Sequence, residues 1–265
     1  METNILRQFS QNGAARILFC GDDDIHLAAI YLATIIVHAG YDLDYVPSAL
    51  LFPAELDFQD YDLVILSDYP RERFDNEQLR RLSRTIRNGG ALLMIGGWES
   101  FRGLNGEYLQ SPLEDLLPVH LLEVDDRINY DQGILVFPDD PAQALNSGLD
   151  WERPPLIGGY NAFLPRKDSQ VCLWGKKLHI RRQGERTDCR FDEDPIPLCV
   201  RAKAGKGRST ALAFDLAPHW IGGMVDWGRE RRHIDFNGVF IEVGDLYVRF
   251  ILNLLKTSLR ETQSS

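Results

Sequence analysis

In the first half of the chain, short unbroken apolar runs alternate with stretches that have helical spacing. "RILFCG" (16–21), "DLDYVP" (42–47), "DLVILSD" (62–68) and "ALLMIGG" (91–97) are too short for helices. Most also lack the strict alternation of a half-exposed strand, so they fit strands covered on both faces. The stretch from about His26 to His38, "HLAAIYLATIIVH", is apolar all round and is closed by Gly40, which predicts a buried helix. Asp22, Asp23 and Asp24 precede it, where carboxylates favour a helix start by capping and by the dipole. After Asp75, the residues Leu79, Leu82 and Ile86 fall on one stripe and Gly89-Gly90 stops it. This predicts a second helix capped by Asp75.

The spacing changes between about 118 and 204. "VHLLEV", "GILVF", "QVCLWGKKLHIRR" and "PLCVRAK" read as antiparallel strands that extend the sheet or form a flap. "GRSTALAFD" (207–215) returns to the style of a core strand. Asp245 is expected to cap a last helix with Tyr247, Phe250, Ile251, Leu254 and Leu255 inward. Beyond Leu259 the tail is polar and expected to fray. Repeated strand–helix–strand units mean right-handed crossovers and a parallel sheet with helices on both faces. With no repeat and no Pro-, Gly- or Ser-rich linker, residues 1–265 are expected to form one α/β domain with a β-rich elaboration at about 118–204.

Composition narrows the partners. The formal net charge of the 265 residues is -10, so neither nucleic acid nor an anionic membrane is an expected partner. The basic runs "RERR" (229–232) and Lys176-Lys177 read as solvated faces. There is no signal-like N-terminus and no 18-residue apolar span. Cys20, Cys172, Cys189 and Cys199 form no CxxC pair, which fits a reduced, cytoplasmic protein without a structural metal. Homo-oligomer formation is left open.

In an open parallel sheet, ligands bind beyond the carboxyl ends of the strands. Those ends carry Gly21, Asp22 and Asp23; Ser67, Asp68 and Tyr69; Gly96, Gly97, Trp98, Glu99 and Ser100; and Asp215 to Trp220. His219 is the strongest candidate for proton chemistry, because an imidazole titrates near neutrality, and Asp215 four residues earlier could orient it. Ser100 does not fit a G-x-S-x-G elbow: it lies four positions beyond Gly96, and the next glycine is Gly103. The aspartate triplet could hold a hard cation, but a helix cap explains it without one. "AGKGRST" (204–210) fails the phosphate-loop spacing, and no G-x-G-x-x-G follows the first strand. No metal, dinucleotide or other cofactor is therefore expected.

Three segments carry a resemblance: "GGWESFRGLNGEYLQSPLEDLLPV" (96–119), "GGYNAF" (158–163) and "GKGRSTALAFDLAPHWIGGMVDW" (205–227). Together they resemble the class I glutamine amidotransferase-like family, which is related more distantly to trehalose-utilisation-type proteins. The resemblance implies a flavodoxin-like fold with an added antiparallel part. Active members carry a cysteine at the turn after the fourth strand and a His-x-Glu pair after a later one. Here that turn offers Gly96, Gly97, Trp98 or Glu99, and Trp220 and Ile221 follow His219. Glutaminase activity is not expected. Two functions follow from these positions. In one, the strand ends bind a small polar metabolite, with Trp98, Trp220 and Trp227 as apolar faces and Asp22, Asp68 and His219 as polar contacts. In the other, a hydrolase-type enzyme uses His219 as general base with Asp215 or Glu99.

Overall fold

The structure, a computed structural model, describes residues 7–9, 15–22, 24–236 and 238–259. Asp23 and the tail from residue 260 lie outside these. Fifteen strands occur among the described residues. In chain order they are β1 (Arg7–Phe9), β2 (Arg16–Gly21), β3 (Asp42–Val46), β4 (Leu63–Ser67), β5 (Ala91–Ile95), β6 (Val119–His120), β7 (Arg127–Pro138), β8 (Leu156–Asn161), β9 (Leu164–Pro165), β10 (Gln170–Gln183), β11 (Arg186–Phe191), β12 (Ile196–Ala204), β13 (Gly207–Leu212), β14 (Arg231–Phe236) and β15 (Val239–Gly244). The α-helices are α1 (Ile30–His38), α2 (Asn76–Arg87), α3 (Pro218–Ile221) and α4 (Asp245–Ser258).

One sheet of eleven strands runs β1-β3-β2-β4-β5-β13-β12-β10-β7-β8, with β11 paired to β10. From β3 to β13 every pairing is parallel, and 91–95 runs parallel to 63–67 as expected. From β13 outward the pairings are antiparallel. The chain is thus mixed α/β, with a parallel centre continued by antiparallel strands. Counting only the parallel strands, their spatial order is 2-1-3-4-5, that of flavodoxin-like folds, and the order reverses between β2 and β4.

The apolar runs become strands because both faces are covered: every residue of β4 and β5 is buried. Helix α2 starts as its sequence demands. Asp75 accepts the Gln78 N–H and the Gln78 side chain accepts the Asp75 N–H, a complete capping box, while Leu79, Leu82 and Ile86 are buried.

Three expectations need correction. Helix α1 begins at Ile30, not His26, and its N-cap is Ala29, with no side-chain cap. Residues 25–29 instead form short turns, with Leu27 N–H to Asp24 O and Ile30 N–H to Leu27 O, and the Asp24 carboxylate accepts the His26 N–H. Neither Asp22 nor Asp24 is therefore the cap of α1, and Asp23 lies outside the described residues. Asp245 is the first residue of α4 and Gly244 its cap; Asp245 Oδ1 accepts the N–H groups of Arg229 and Glu230, pinning that loop to the helix. "VHLLEV" contributes only the two-residue β6, paired with β9. "RERR" is a solvated face as expected, its four residues exposed, with Arg231 and Arg232 in β14 of a hairpin with β15.

Candidate functional site

At the order reversal, β2 and β4 end in two acidic residues with left-handed backbone: Asp22 has φ 47° and Asp68 φ 49°. Aspartate tolerates this region better than most side chains, yet it still costs energy, and such residues cluster at functional sites. Gly21 makes the approach of the strands workable. The Asp22 N–H donates to Ser67 O at 2.8 Å, and a Cβ on Gly21 would lie 1.5 Å from that oxygen.

The turn after β5 is built around Asp68. Its Oδ1 accepts the Glu99 N–H at 2.7 Å, and its own N–H donates to Ser100 Oγ at 3.0 Å. A Cβ on Gly97 would fall 2.1 Å from Asp68 Oδ1, so the glycine is the space the carboxylate occupies. On the other side of the turn is a residue that strand-end reasoning missed. Asn161, fully buried at the end of β8, accepts the Gly97 N–H (2.8 Å) and donates to Gly97 O (3.1 Å) and Asp126 Oδ1 (2.8 Å). Asp126 in turn accepts the N–H groups of Arg102 and Gly103. Burial raises the Asp126 pKa, and the hydrogen bonds it accepts oppose the shift. The Asn161 N–H donates to Ala213 O, so the end of β8, at the far edge of the sheet path, returns to the end of β13. In this way the antiparallel extension supports the turn.

Asn161→Leu removes a partner from both backbone groups of Gly97 and from Asp126 at once. The expected loss is about 2–3 kcal/mol, read as a lower urea midpoint at unchanged slope. A loss below about 0.5 kcal/mol would mean that this network does not hold the turn.

His219 sits on α3, whose first residue Pro218 presets the helical backbone. Asp215 is buried beneath it; its Oδ1 accepts the Ala217 N–H at 2.8 Å. The Asp215 Oδ2 has no aligned hydrogen-bond donor, but His219 Nε2 lies 2.6 Å from it. Ligand atoms of Asp68, Asp215 and His219 all fall within 4.8 Å of one another. The Asp68 carboxyl is pushed up to about 8, first by burial and then by the negative charge of Asp215, against the Glu99 N–H and His219, which lower it.

Asp22, Asp68, Trp98, Glu99, His219 and Trp220 line one cleft of about 510 Å³, together with Ala28, Leu104, Asn105 and Asn129. Gly96, Gly97 and Asp215 lie behind this surface, buried. Trp98 is half exposed beneath the Arg127 guanidinium, 4.6 Å from ring to cation. Trp220 packs on Gly159, and its Nε1 donates to Asn129 Oδ1 at 2.7 Å. Trp227 does not join them: it is buried against Trp151 and donates to Arg153 O. Asn129 and Arg127 come from β7, whose sequence gave no sign of reaching the strand ends.

The chain is also similar to known proteins. A family model described as "Putative glutamine amidotransferase" matches residues 19–235. Among solved structures, cytoplasmic protein STM3548 from Salmonella typhimurium has 25% identity and a TM-score of 0.69, and cytoplasmic protein STM1381 from Salmonella typhimurium LT2 has 24% and 0.70. Each match covers 92% of this chain and 99% of the other. A beta-galactosidase from Rahnella sp. R3 shares the fold alone, at 13% identity and a TM-score of 0.51, over 92% of this chain and 31% of that one. No curated protein matches significantly. No helix among the described residues is long and apolar enough to cross a membrane. With most of its length matched, from the first core strand to the β14 hairpin, the chain belongs to the glutamine amidotransferase-like family.

Proposed function

We propose that the cleft binds a small, neutral, hydroxyl-rich molecule and carries out no glutaminase chemistry. The observation behind this is the cleft lining. Three carboxylate residues (Asp22, Asp68, Glu99), one imidazole and two indoles meet there, and neither lysine, arginine nor cysteine is among the lining residues. The Asp22 and Glu99 carboxylates disfavour phosphates and free carboxylates, while Asp68, pushed up to about 8, keeps a proton at neutral pH that it can donate to a hydroxyl. Carboxylates accept hydrogen bonds from hydroxyl groups, and indole faces cover the apolar C–H faces of a polyol or sugar. The turn after β5 holds Gly96, Gly97, Trp98 and Glu99 where a thiol nucleophile would be required. Cys20, at the end of β2, is fully buried and its thiol is pushed far up by desolvation, so it offers no thiolate. The free cysteines and the names of the two Salmonella proteins support a cytoplasmic setting.

A thermal-shift screen of neutral sugars, polyols and amino sugars, run in EDTA, tests this reading. The expected result is a dose-dependent rise in Tm with at least one neutral hydroxyl-rich compound. His219→Ala should abolish the rise while keeping one cooperative unfolding transition, at an unliganded Tm lowered by the lost contact with buried Asp215 Oδ2. No ammonia should be released from glutamine above a buffer control. A screen in which only anionic compounds shift Tm, or stoichiometric labelling of Cys20 by a glutamine-like electrophile, would sink the reading. The short approach of His219 to buried Asp215 favours a second one, in which His219 acts as general base on the bound molecule. Turnover of a screening hit, lost in both His219→Ala and Asp215→Asn, would decide for it.

A further inference from the structure

We propose that Asp68, Asp215 and His219 form a binding site for one divalent transition-metal ion, with zinc as the best fit. This goes beyond the organic ligand of the cleft and does not depend on it. Three donors from three places in the chain converge: the end of β4, the residues after β13, and α3. Their ligand atoms lie within 4.8 Å of one another. Donors bonded at about 2.0–2.2 Å to one tetrahedral ion stand roughly 3.3–3.6 Å apart, so His219 Nε2 and Asp215 Oδ2, now 2.6 Å apart, would open to admit it and the more distant pairs would close.

A second observation points to a ligand from the protein side. Asp215 is 1% exposed, and its Oδ2 has no aligned hydrogen-bond donor while it faces His219. A buried carboxylate oxygen left this way is costly unless something positive meets it. The group that meets it is His219 Nε2, 2.6 Å away, itself a metal-binding atom. Around this point the lining adds the carboxyl groups of Asp22 and Glu99, which favour a cation, while Arg127 stands over Trp98. One oxygen of each aspartate is already held: Asp68 Oδ1 by the Glu99 N–H and Asp215 Oδ1 by the Ala217 N–H. Outer hydrogen bonds of this kind orient metal-binding carboxylates.

The donor set selects the metal. Calcium and magnesium prefer all-oxygen sites, and magnesium retains several waters. An imidazole with two carboxylates suits zinc or another first-row ion, and three protein donors is the number of a zinc site that keeps a position for water or ligand. Cys172 and Cys199 lie elsewhere, on β10 and β12, and supply nothing to it.

The test uses the full chain, stripped with EDTA and dialysed into metal-free buffer. Zinc, manganese and magnesium chlorides are titrated calorimetrically into the wild type, His219→Ala, Asp215→Asn and Asp68→Asn. The expected result is one tight zinc per chain, magnesium at least about 100-fold weaker, and zinc affinity reduced at least about 100-fold in each variant. Because His219 is half exposed, His219→Ala keeps the test decisive even if an aspartate variant fails to fold. Cobalt(II) should give the visible absorption of a low-coordinate site in the wild type and lose it in His219→Ala. Stoichiometric zinc binding that survives His219→Ala, or no zinc binding by the wild type, overturns the proposal. Shifts with neutral sugars in EDTA together with no zinc binding would reject the metal and keep the ligand reading; zinc binding without such shifts would do the reverse.

Discussion

Gly21→Ala should be among the most damaging single substitutions in this chain. The backbone at Gly21 has φ 144°, which L-residues rarely adopt, and a Cβ would lie 1.5 Å from Ser67 O and 2.6 Å from its carbonyl carbon. Neither atom can rotate away, because both belong to the backbone of β4, hydrogen-bonded between β2 and β5. Relief requires the strands to separate where Asp22 N–H bonds Ser67 O. Strain and a lost hydrogen bond together should cost about 4 kcal/mol or more, a fall in Tm of roughly 8–15 °C for a chain of this size. Gly223→Ala is the control: a Cβ there meets nothing within 4 Å, so the change should stay within about 0.5 kcal/mol. Urea unfolding of both variants checks the contrast. A Gly21→Ala protein within about 1 kcal/mol of wild type would show that β2 and β4 do not close up as described.

That position shows what a sequence can and cannot disclose. The parallel strands were legible because a strand covered on both faces must be an unbroken apolar run, and 16–21, 63–67 and 91–95 are such runs. Once they are known to be parallel, their carboxyl ends must share an edge. Asp22, Asp68, Trp98, Glu99, His219 and Trp220 could therefore be placed together without any contact being known. Helix α2 was legible because its start signal is local, within four residues. What stayed hidden depends on distance or on competing local bonds. Asn161 meets Gly97 across 64 positions, and nothing near Asn161 in the sequence marks that pairing. The aspartate triplet looked like a cap, but turns with bonds to the third preceding residue claimed positions 25–29 first. Trp227 lies on the same motif as His219 and Trp220, yet Trp151 and Arg153 draw it into the interior. The β14–β15 hairpin carries a local signal, alternating runs on either side of Gly238, whose φ is 82°.

Asp68→Asn should stabilise the metal-free protein, and increasingly so as the pH rises. The folded-state pKa of Asp68 is about 8, far above its unfolded value, so the folded protein holds the proton more tightly. A raised carboxyl pKa means that below about pH 4 both states are protonated and the residue has no such cost. Between there and about 8 the folded state must either keep a proton from solution or bear a charge beside Asp215 and Glu99, and stability falls. Above 8 the full cost is present. Each pH unit of difference corresponds to about 1.4 kcal/mol. Because Asp68 opens partly onto the cleft, solvent screening reduces the total, and a gain of about 2–4 kcal/mol at pH 9 is expected for the variant. Asparagine retains an Oδ1 to accept the Glu99 N–H, so the turn after β5 should survive. Urea unfolding at pH 4.5, 7 and 9 in EDTA should show the two proteins converging at the acid end and diverging at the alkaline end. Equal stability at pH 9, or a variant less stable than wild type there, would mean that the Asp68 charge is already compensated in the free protein and that the crowding of carboxylates at this strand end has no energetic consequence.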